Sequence, residues 1–295
     1  MTNYQFESRP LGSLGWAHCK QVLPQYQVDT IKIQLSQWMA RCGEPTHSWL
    51  RGGIDQQAKS LFRKTNSFQS DLQDALGKLN LIYELALSKQ VHNILANHTG
   101  WSQSSLSPIH NIRAKFPKHF GIYGFTTVPW HQDYGATDPT QNDVNLVTAW
   151  IPLTIADAKH GGLEIIPRST QLGWLPHKRG ECGPEVEEAA FQSALRLRPD
   201  LRPVTVRAMP GDVILFDQYT LHRSLINRSR RVRWSIDMRY MHLGTSSGRP
   251  GLWSRDLTVS EPVNDEVMSL VNERLLRIND PTLSVKKRVD YCIDH

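Results

Sequence analysis

Arg231-Val232-Arg233-Trp234-Ser235-Ile236-Asp237-Met238-Arg239-Tyr240 is the stretch that decides the fold. Val232, Trp234, Ile236, Met238 and Tyr240 alternate with Arg231, Arg233, Ser235, Asp237 and Arg239, which is the period of two of a β-strand. One face is apolar and the other strongly polar, so the strand packs on a core with one side and lines a cavity or meets water with the other. Upstream, from about Pro108 to Met241, the segments are short, rich in β-branched and aromatic residues, and punctuated at Pro129, Gly161-Gly162, Pro167, Pro203 and Pro210-Gly211. This spacing predicts strands over Ile109–Phe116, Thr126–His131, Asn145–Leu153, Leu163–Ile166, Val204–Ala208, Asp212–Phe216, Thr220–Leu225 and Val232–Met241. Eight short strands predict a sandwich or jelly roll.

The flanks have a different texture. Apolar residues recur at three and four spacing over Val28–Met39 and over Leu72–Ala96, which predicts helices. Glu261–Ile278 repeats the pattern and predicts a closing helix. The polar stretch Gly173–Asp200, with a short helix around Val186–Leu195, reads as an inserted loop of the kind that shapes binding sites. The expected organisation is a single domain over residues 1–295. Residues 1–107 form a mainly helical part, 108–241 the β core with an insertion at about 173–200, and 242–295 a helix and tail.

With 295 residues, 39% hydrophobic and 21% charged, the chain has the composition of a globular protein able to bury a sizeable core. Its net charge of +6 suits an anionic ligand without demanding nucleic acid. No apolar run approaches the roughly 18 residues of a membrane span. The first residues, Met1–Glu7, lack a basic cluster followed by an apolar stretch, so a cytoplasmic location is expected. Cys19, Cys42, Cys182 and Cys292 are scattered without zinc-ribbon or CxxC spacing, and ordinary thiols are expected.

The chemistry starts at His131-Gln132-Asp133. On a strand, residues two apart share a side, so an imidazole and a carboxylate are presented together. One such pair is weak evidence, and a metal site of the non-haem iron type needs a second histidine on the same side of the metal. His222 is the natural candidate, because a closed β-structure can bring its strand beside that of His131. His110, His119, His160, His177 and His242 compete for the place. Arg233 follows His222 across a turn at Asn227-Arg228-Ser229, which predicts an antiparallel strand pair and a fixed cation near the metal. A planar guanidinium grips a carboxylate through two hydrogen bonds, as the anchor of a dicarboxylic cosubstrate must. The run Arg228, Arg230, Arg231, Arg233 is short and lacks interleaved aromatics, so nucleic-acid binding is not expected.

Three blocks carry a resemblance. Val128-Pro129-Trp130-His131-Gln132-Asp133 comes first, and Val147-Thr148-Ala149-Trp150-Ile151-Pro152-Leu153 with Gly161-Gly162-Leu163-Glu164-Ile165-Ile166-Pro167-Arg168-Ser169 second. Pro210-Gly211-Asp212-Val213-Ile214-Leu215-Phe216 with His222-Arg223-Ser224, Asn227, Ser229 and Arg233 is the third. Together they resemble the phytanoyl-CoA dioxygenase-like (PhyH) family of Fe(II)- and 2-oxoglutarate-dependent oxygenases.

The resemblance implies a mainly β fold with flanking helices around a double-stranded β-helix, the cupin-like jelly roll. It implies Fe(II), 2-oxoglutarate and O2 as cofactors, with His131, Asp133 and His222 as metal ligands and Arg233 as cosubstrate anchor. By the same resemblance Ser224 assists the far carboxylate, Trp150 borders the cosubstrate, and Lys115 reaches cosubstrate or substrate. Halogenases of related architecture replace the carboxylate ligand by Gly or Ala; the carboxylate of Asp133 therefore implies hydroxylation or a relative of it, such as desaturation, cyclisation or epoxidation. The expected substrate is a free small molecule. Acyl-CoA or carrier-bound substrates, nucleic-acid oxidation and a non-catalytic metal- or ligand-binding jelly roll are the alternatives.

Overall fold

The computed structural model describes residues 11–245 apart from 45–46, 66, 70, 73–84, 108–109, 121–126, 138–143 and 181, with backbone alone over 47–52. Two facing antiparallel sheets form a jelly roll. In chain order the strands are β1 (Trp16–Cys19), β2 (Ser104–Leu106), β3 (Asn111–Lys115), β4 (Val128–His131), β5 (Leu146–Pro152) and β6 (Leu163–Ile165). They continue with β7 (His177–Gly180), β8 (Gly183–Val186), β9 (Val204–Thr205), β10 (Val213–Asp217), β11 (His222–Ser224) and β12 (Arg233–His242). The larger sheet runs β1-β10-β5-β12-β2, with β3 also on β12; the smaller runs β4-β11-β6-β9, and β7 and β8 pair as a hairpin.

The alternating stretch is the spine of the larger sheet. Residues 235–241 of β12 pair with β5, while its other edge is shared by β3 at residues 233–237 and β2 at residues 240–242. Its apolar side chains, Val232, Trp234, Ile236, Met238 and Tyr240, are at most 1% exposed. Each contributes on the order of 1.5–3 kcal/mol by leaving water. They join Val147, Ala149 and Ile151 of β5 and Val213 and Leu215 of β10 in the main core.

Helices cover that face. Helix α1 (Gln25–Arg41) buries Val28, Ile31, Leu35, Trp38 and Met39, a stripe at helical spacing, and α2 (His47–Lys64) packs beside it. Helix α3 (Lys89–Thr99) starts where the Ser88 hydroxyl accepts the Val91 N–H and stops at Gly100, whose φ of 72° is the left-handed conformation of a helix end. Ser88 sits inside the segment predicted as one helix over Leu72–Ala96, and its cap makes Lys89 the start of a separate helix. Residues 73–84 lie outside the described residues, as does the helix expected over Glu261–Ile278.

All eight predicted strands form, and three features depart from expectation. β1 and β2 come from the part read as helical; both are short strands on the outer flanks of the larger sheet, too brief to show alternation. The insertion at 173–200 is ordered as the β7–β8 hairpin and helix α4 (Glu188–Leu197), whose Phe191 stacks on Trp130 at a centroid distance of 5.5 Å. The antiparallel pair expected between the strands of His222 and Arg233 does not form. β11 pairs with β4 and β6, β12 with β5, β3 and β2, so the connection crosses from one sheet to the other. The crossing is fixed by Asn227, fully buried, whose amide donates to the carbonyls of Lys115 and Arg231 and whose Oδ1 accepts from Ser229 N–H and Oγ–H.

Cys19, Cys42 and Cys182 form no disulfide among the described residues. Among the described residues no helix is long and apolar enough to cross a membrane.

Candidate active site

Between the sheets the apolar filling is small: Trp150, Leu163, Ile165, Ile214 and Phe216 occupy part of the space. The rest is a cavity onto which the polar face of β12 opens, with Arg233, Asp237 and Arg239 on its wall.

The register of β4 against β11 sets His131 directly opposite His222. Their rings lie 4.1 Å apart by centroid, and Asp133 Oδ1 is 3.9 Å from His131 Nε2 and 4.0 Å from His222 Nε2. One ligand atom from each of the three residues falls within 4.8 Å of the others, the only such cluster of His, Cys, Asp and Glu among the described residues.

Both imidazoles are oriented by their own strands. His131 Nδ1 lies 2.9 Å from the Pro129 carbonyl and His222 Nδ1 2.9 Å from the Thr220 carbonyl. A carbonyl only accepts, so each Nδ1 carries the proton and each Nε2 keeps its lone pair, as metal ligation requires. Burial, and then the neighbouring imidazole, push His131 down to about 3, and burial pushes His222 down as well. Both rings are neutral at ordinary pH.

Burial opposes the charge on Asp133, but the Arg239 guanidinium together with His222 and His131 outweighs it and holds the carboxyl far below the usual range. Arg239 Nη2 donates to Oδ1 at 2.6 Å, and the Thr148 hydroxyl donates to Oδ2. Two neutral imidazoles and one ionised carboxylate converging in a buried pocket match the donor set of a two-histidine, one-carboxylate iron site.

The remaining expected residues gather beside the triad. Arg233, 2% exposed, lies with its guanidinium carbon 5.4 Å from the centroid of the Trp150 ring. It donates to Ser235 Oγ through Nη1, while its Nε has no partner among the described residues. Burial brings it down to about 10, so it stays a cation. Lys115 is opposite Arg233 in the β3–β12 register and donates to Ser224 Oγ at 2.6 Å and to the Leu225 carbonyl at 2.5 Å. Ser224 Oγ also accepts the Val128 N–H at 3.1 Å. With both lone pairs engaged, its own hydroxyl proton is left to donate into the cavity. Lys115 itself lies on an adjoining hollow, shared with Arg113, Ser224 and Arg233, rather than on the wall beside the triad.

Two of the competing histidines are engaged elsewhere. His160 Nδ1 pairs with Asp157 at 2.8 Å, and His177 Nε2 accepts the Gln132 N–H at 3.1 Å.

Sequence reasoning missed Thr148, Arg239 and Gln132 as parts of the site. Gln132, fully buried between His131 and Asp133 in the chain, donates to the Gly173 and Tyr219 carbonyls at 2.7 Å each and accepts the Leu175 N–H at 2.9 Å. It ties the metal loop to the insertion. Arg239 was visible on the polar face of the deciding strand, and only its partner was not.

No curated protein matches this chain. Among solved structures, the epimerase SnoN in complex with Fe3+, alpha ketoglutarate and nogalamycin RO is similar at TM-score 0.56 and 16% identity, over 86% of this chain and 93% of that one. EctD from S. alaskensis with 2-oxoglutarate and 5-hydroxyectoine gives 0.56 and 12% over 83% and 77%. EvdO2 from Micromonospora carbonacea var. aurantiaca complexed with 2-oxoglutarate gives 0.52 and 18% over 89% and 94%. These likenesses establish a shared fold. Residues 13–235, about three quarters of the chain, match the phytanoyl-CoA dioxygenase (PhyH) family model, and the chain belongs to that family.

Proposed function

We propose that this protein is an Fe(II)- and 2-oxoglutarate-dependent dioxygenase that hydroxylates an unactivated C–H of a free small molecule. The observation that carries the reading is the pairing of the His131–Asp133–His222 cluster, in which Asp133 and His222 are buried, with a buried Arg233 in one cavity. A metal that merely braced the fold would favour a closed shell and need no cation beside it.

In this reading His131 Nε2, Asp133 Oδ1 and His222 Nε2 hold Fe(II). Arg233 and the free hydroxyl proton of Ser224 grip the far carboxylate of 2-oxoglutarate, and the indole of Trp150, under the Arg233 guanidinium, walls its path. Lys115 holds Ser224 in place from behind. With iron, 2-oxoglutarate and O2 bound, the site gains the oxidising power to functionalise a C–H bond while 2-oxoglutarate is converted to succinate and CO2. The protein's part is to orient the ligands, keep both Nε2 atoms unprotonated, and exclude bulk water behind Phe216, whose ring lies 4.3 Å from that of His222. The Asp133 carboxylate fills the place a halide would need, which favours oxygen transfer over halogenation.

The test is anaerobic addition of Fe(II) and 2-oxoglutarate to the metal-free protein, beside Arg233→Ala. A visible charge-transfer band that weakens in the variant is expected. A folded protein that binds metal tightly yet gives no band would overturn the proposal and leave a metal-binding jelly roll.

A further inference from the structure

One wall of the cavity is more polar than iron and 2-oxoglutarate require. Asp237 lies on β12 between Arg233 and Arg239, on the same face as both, about 13 Å along the strand from the first and about 7 Å from the second. It is 5% exposed, and its Oδ1 accepts no hydrogen bond among the described residues. Its other oxygen is held by Arg113 Nε at 2.7 Å. Among the described residues the Arg113 side chain makes no other hydrogen bond or ion pair; it is 30% exposed and borders both hollows, which leaves its terminal amino groups available to a ligand. A buried carboxylate oxygen left without a donor costs on the order of 1–3 kcal/mol, more for a charged group. A fold keeps such an atom most readily where a ligand supplies the missing partner.

The charges point the same way. Arg113, Arg233 and Arg239 line the cavity against Asp133 and Asp237, with Lys115 beside them. Arg239 is committed to Asp133, and Arg233 is reserved for the cosubstrate. Arg113 is then the guanidinium available to a substrate anion, and Asp237 Oδ1 the acceptor available to a substrate donor, side by side on one ion pair.

Building on the oxygenase reading, we infer that Arg113 and Asp237 form the substrate clamp. The substrate class is a small carboxylate bearing a hydrogen-bond donor, amine or hydroxyl, on the adjacent carbon. The carboxylate takes the free amino groups of Arg113, the donor takes Asp237 Oδ1, and the remaining carbon chain extends over the metal triad. The pair thus acts as a specificity determinant, separate from the residues that hold iron and 2-oxoglutarate.

Four matched probes test this: L-norvaline, L-2-hydroxyvalerate, valerate and L-norvalinamide. They are titrated by calorimetry into the metal-free protein, and into the Fe(II)- and 2-oxoglutarate-loaded protein under nitrogen while the visible band is followed. Norvaline or hydroxyvalerate should bind, and which of the two is tighter identifies the donor. Valerate, lacking the donor, and norvalinamide, lacking the carboxylate, should each bind at least about tenfold more weakly, the scale of one charge-assisted hydrogen bond. Asp237→Ala should erase the advantage of norvaline over valerate, and Arg113→Met its advantage over norvalinamide. Equal affinity for all four probes, or no binding of any to wild type, overturns the clamp whether or not the band forms. Absence of the band alone counts against the oxygenase reading and leaves the metal-free titration to decide the clamp.

Discussion

Arg239 donates at 2.6 Å to the same Asp133 oxygen that faces the imidazoles of His131 and His222. The guanidinium therefore does two things at once. It makes an ionised carboxylate tolerable in a buried place, and it fixes which oxygen faces the two imidazoles. Thr148 occupies the second oxygen, so Asp133 has no freedom to rotate.

Arg239→Met should accordingly weaken Fe(II) binding by about 10- to 100-fold, the range seen when partners of metal ligands are removed. The metal-free protein should lose about 3–5 kcal/mol of stability, because a buried charge is left without its partner. Arg239→Lys, retaining the charge, should recover part of both. Metal titration and denaturant unfolding read the two effects separately; unchanged metal affinity in the methionine variant would show that Arg239 does not orient Asp133.

Ser224→Ala removes one hydroxyl from a site where its oxygen already accepts from Lys115 and Val128. The variant leaves the buried Lys115 amine short of a partner and removes the proton directed at the cosubstrate. A hydrogen bond to a carboxylate is worth about 1.5–3 kcal/mol, so the dissociation constant for 2-oxoglutarate should rise by about 10- to 100-fold. Fe(II) affinity measured without cosubstrate should stay within about threefold of wild type. A 2-oxoglutarate affinity equal to wild type would remove Ser224 from the anchor.

Gly161 has a φ of 70°, and a Cβ there would come within 2.7 Å of Lys115 Cδ and 2.9 Å of the Leu225 carbonyl. Both strain and collision follow from adding one methyl group. Gly161→Ala should destabilise the fold by about 1–3 kcal/mol and displace Lys115, weakening 2-oxoglutarate binding alongside. Gly173→Ala, also at positive φ but with open space around the added atom, carries the backbone strain without the clash. The comparison isolates the packing effect, and an equal cosubstrate affinity in the two variants would argue that Lys115 is not the mediator.

How far the sequence carried this reading can be argued from β12. Its alternation gave the strand, both faces and the main core, because burial on one side and a cavity on the other impose a period of two on the residue types. The triad was legible from the His131-x-Asp133 spacing and the family resemblance that supplied His222, although the strand ends at His131 and Asp133 opens the short 3-10 turn that follows it. What was not legible depends on pairing at a distance. The crossing between sheets at Asn227 leaves the same turn-like signature as a hairpin, so Arg233 was assigned to the wrong strand partner while still reaching the right cavity. Arg113 and Asp237, 124 positions apart, meet only through the β3–β12 register. The strands β1 and β2 are three or four residues long and are held by their neighbours rather than by their own pattern.

Asp212 gives a pH signature away from the metal. It is 3% exposed and accepts from the Gln21 and Met209 amides and from His18, each at 2.9 Å. Burial pushes its carboxyl up, but these donors outweigh burial and hold it below its ordinary value of 3.8. A carboxyl depressed in the folded state binds its proton more weakly there than in the unfolded chain. Its stabilisation is therefore complete above about pH 4 and disappears as the pH falls through the lowered folded value. Asp212→Asn keeps the shape and removes the charge, so wild type should melt about 5 °C above the variant at pH 7, about 1–2 kcal/mol for a chain this size. That gap should persist to about pH 5 and narrow below pH 4. A gap that is constant from pH 7 to pH 3 would mean that the contacts of Asp212 stabilise the β1–β10 corner by shape alone, independent of the charge.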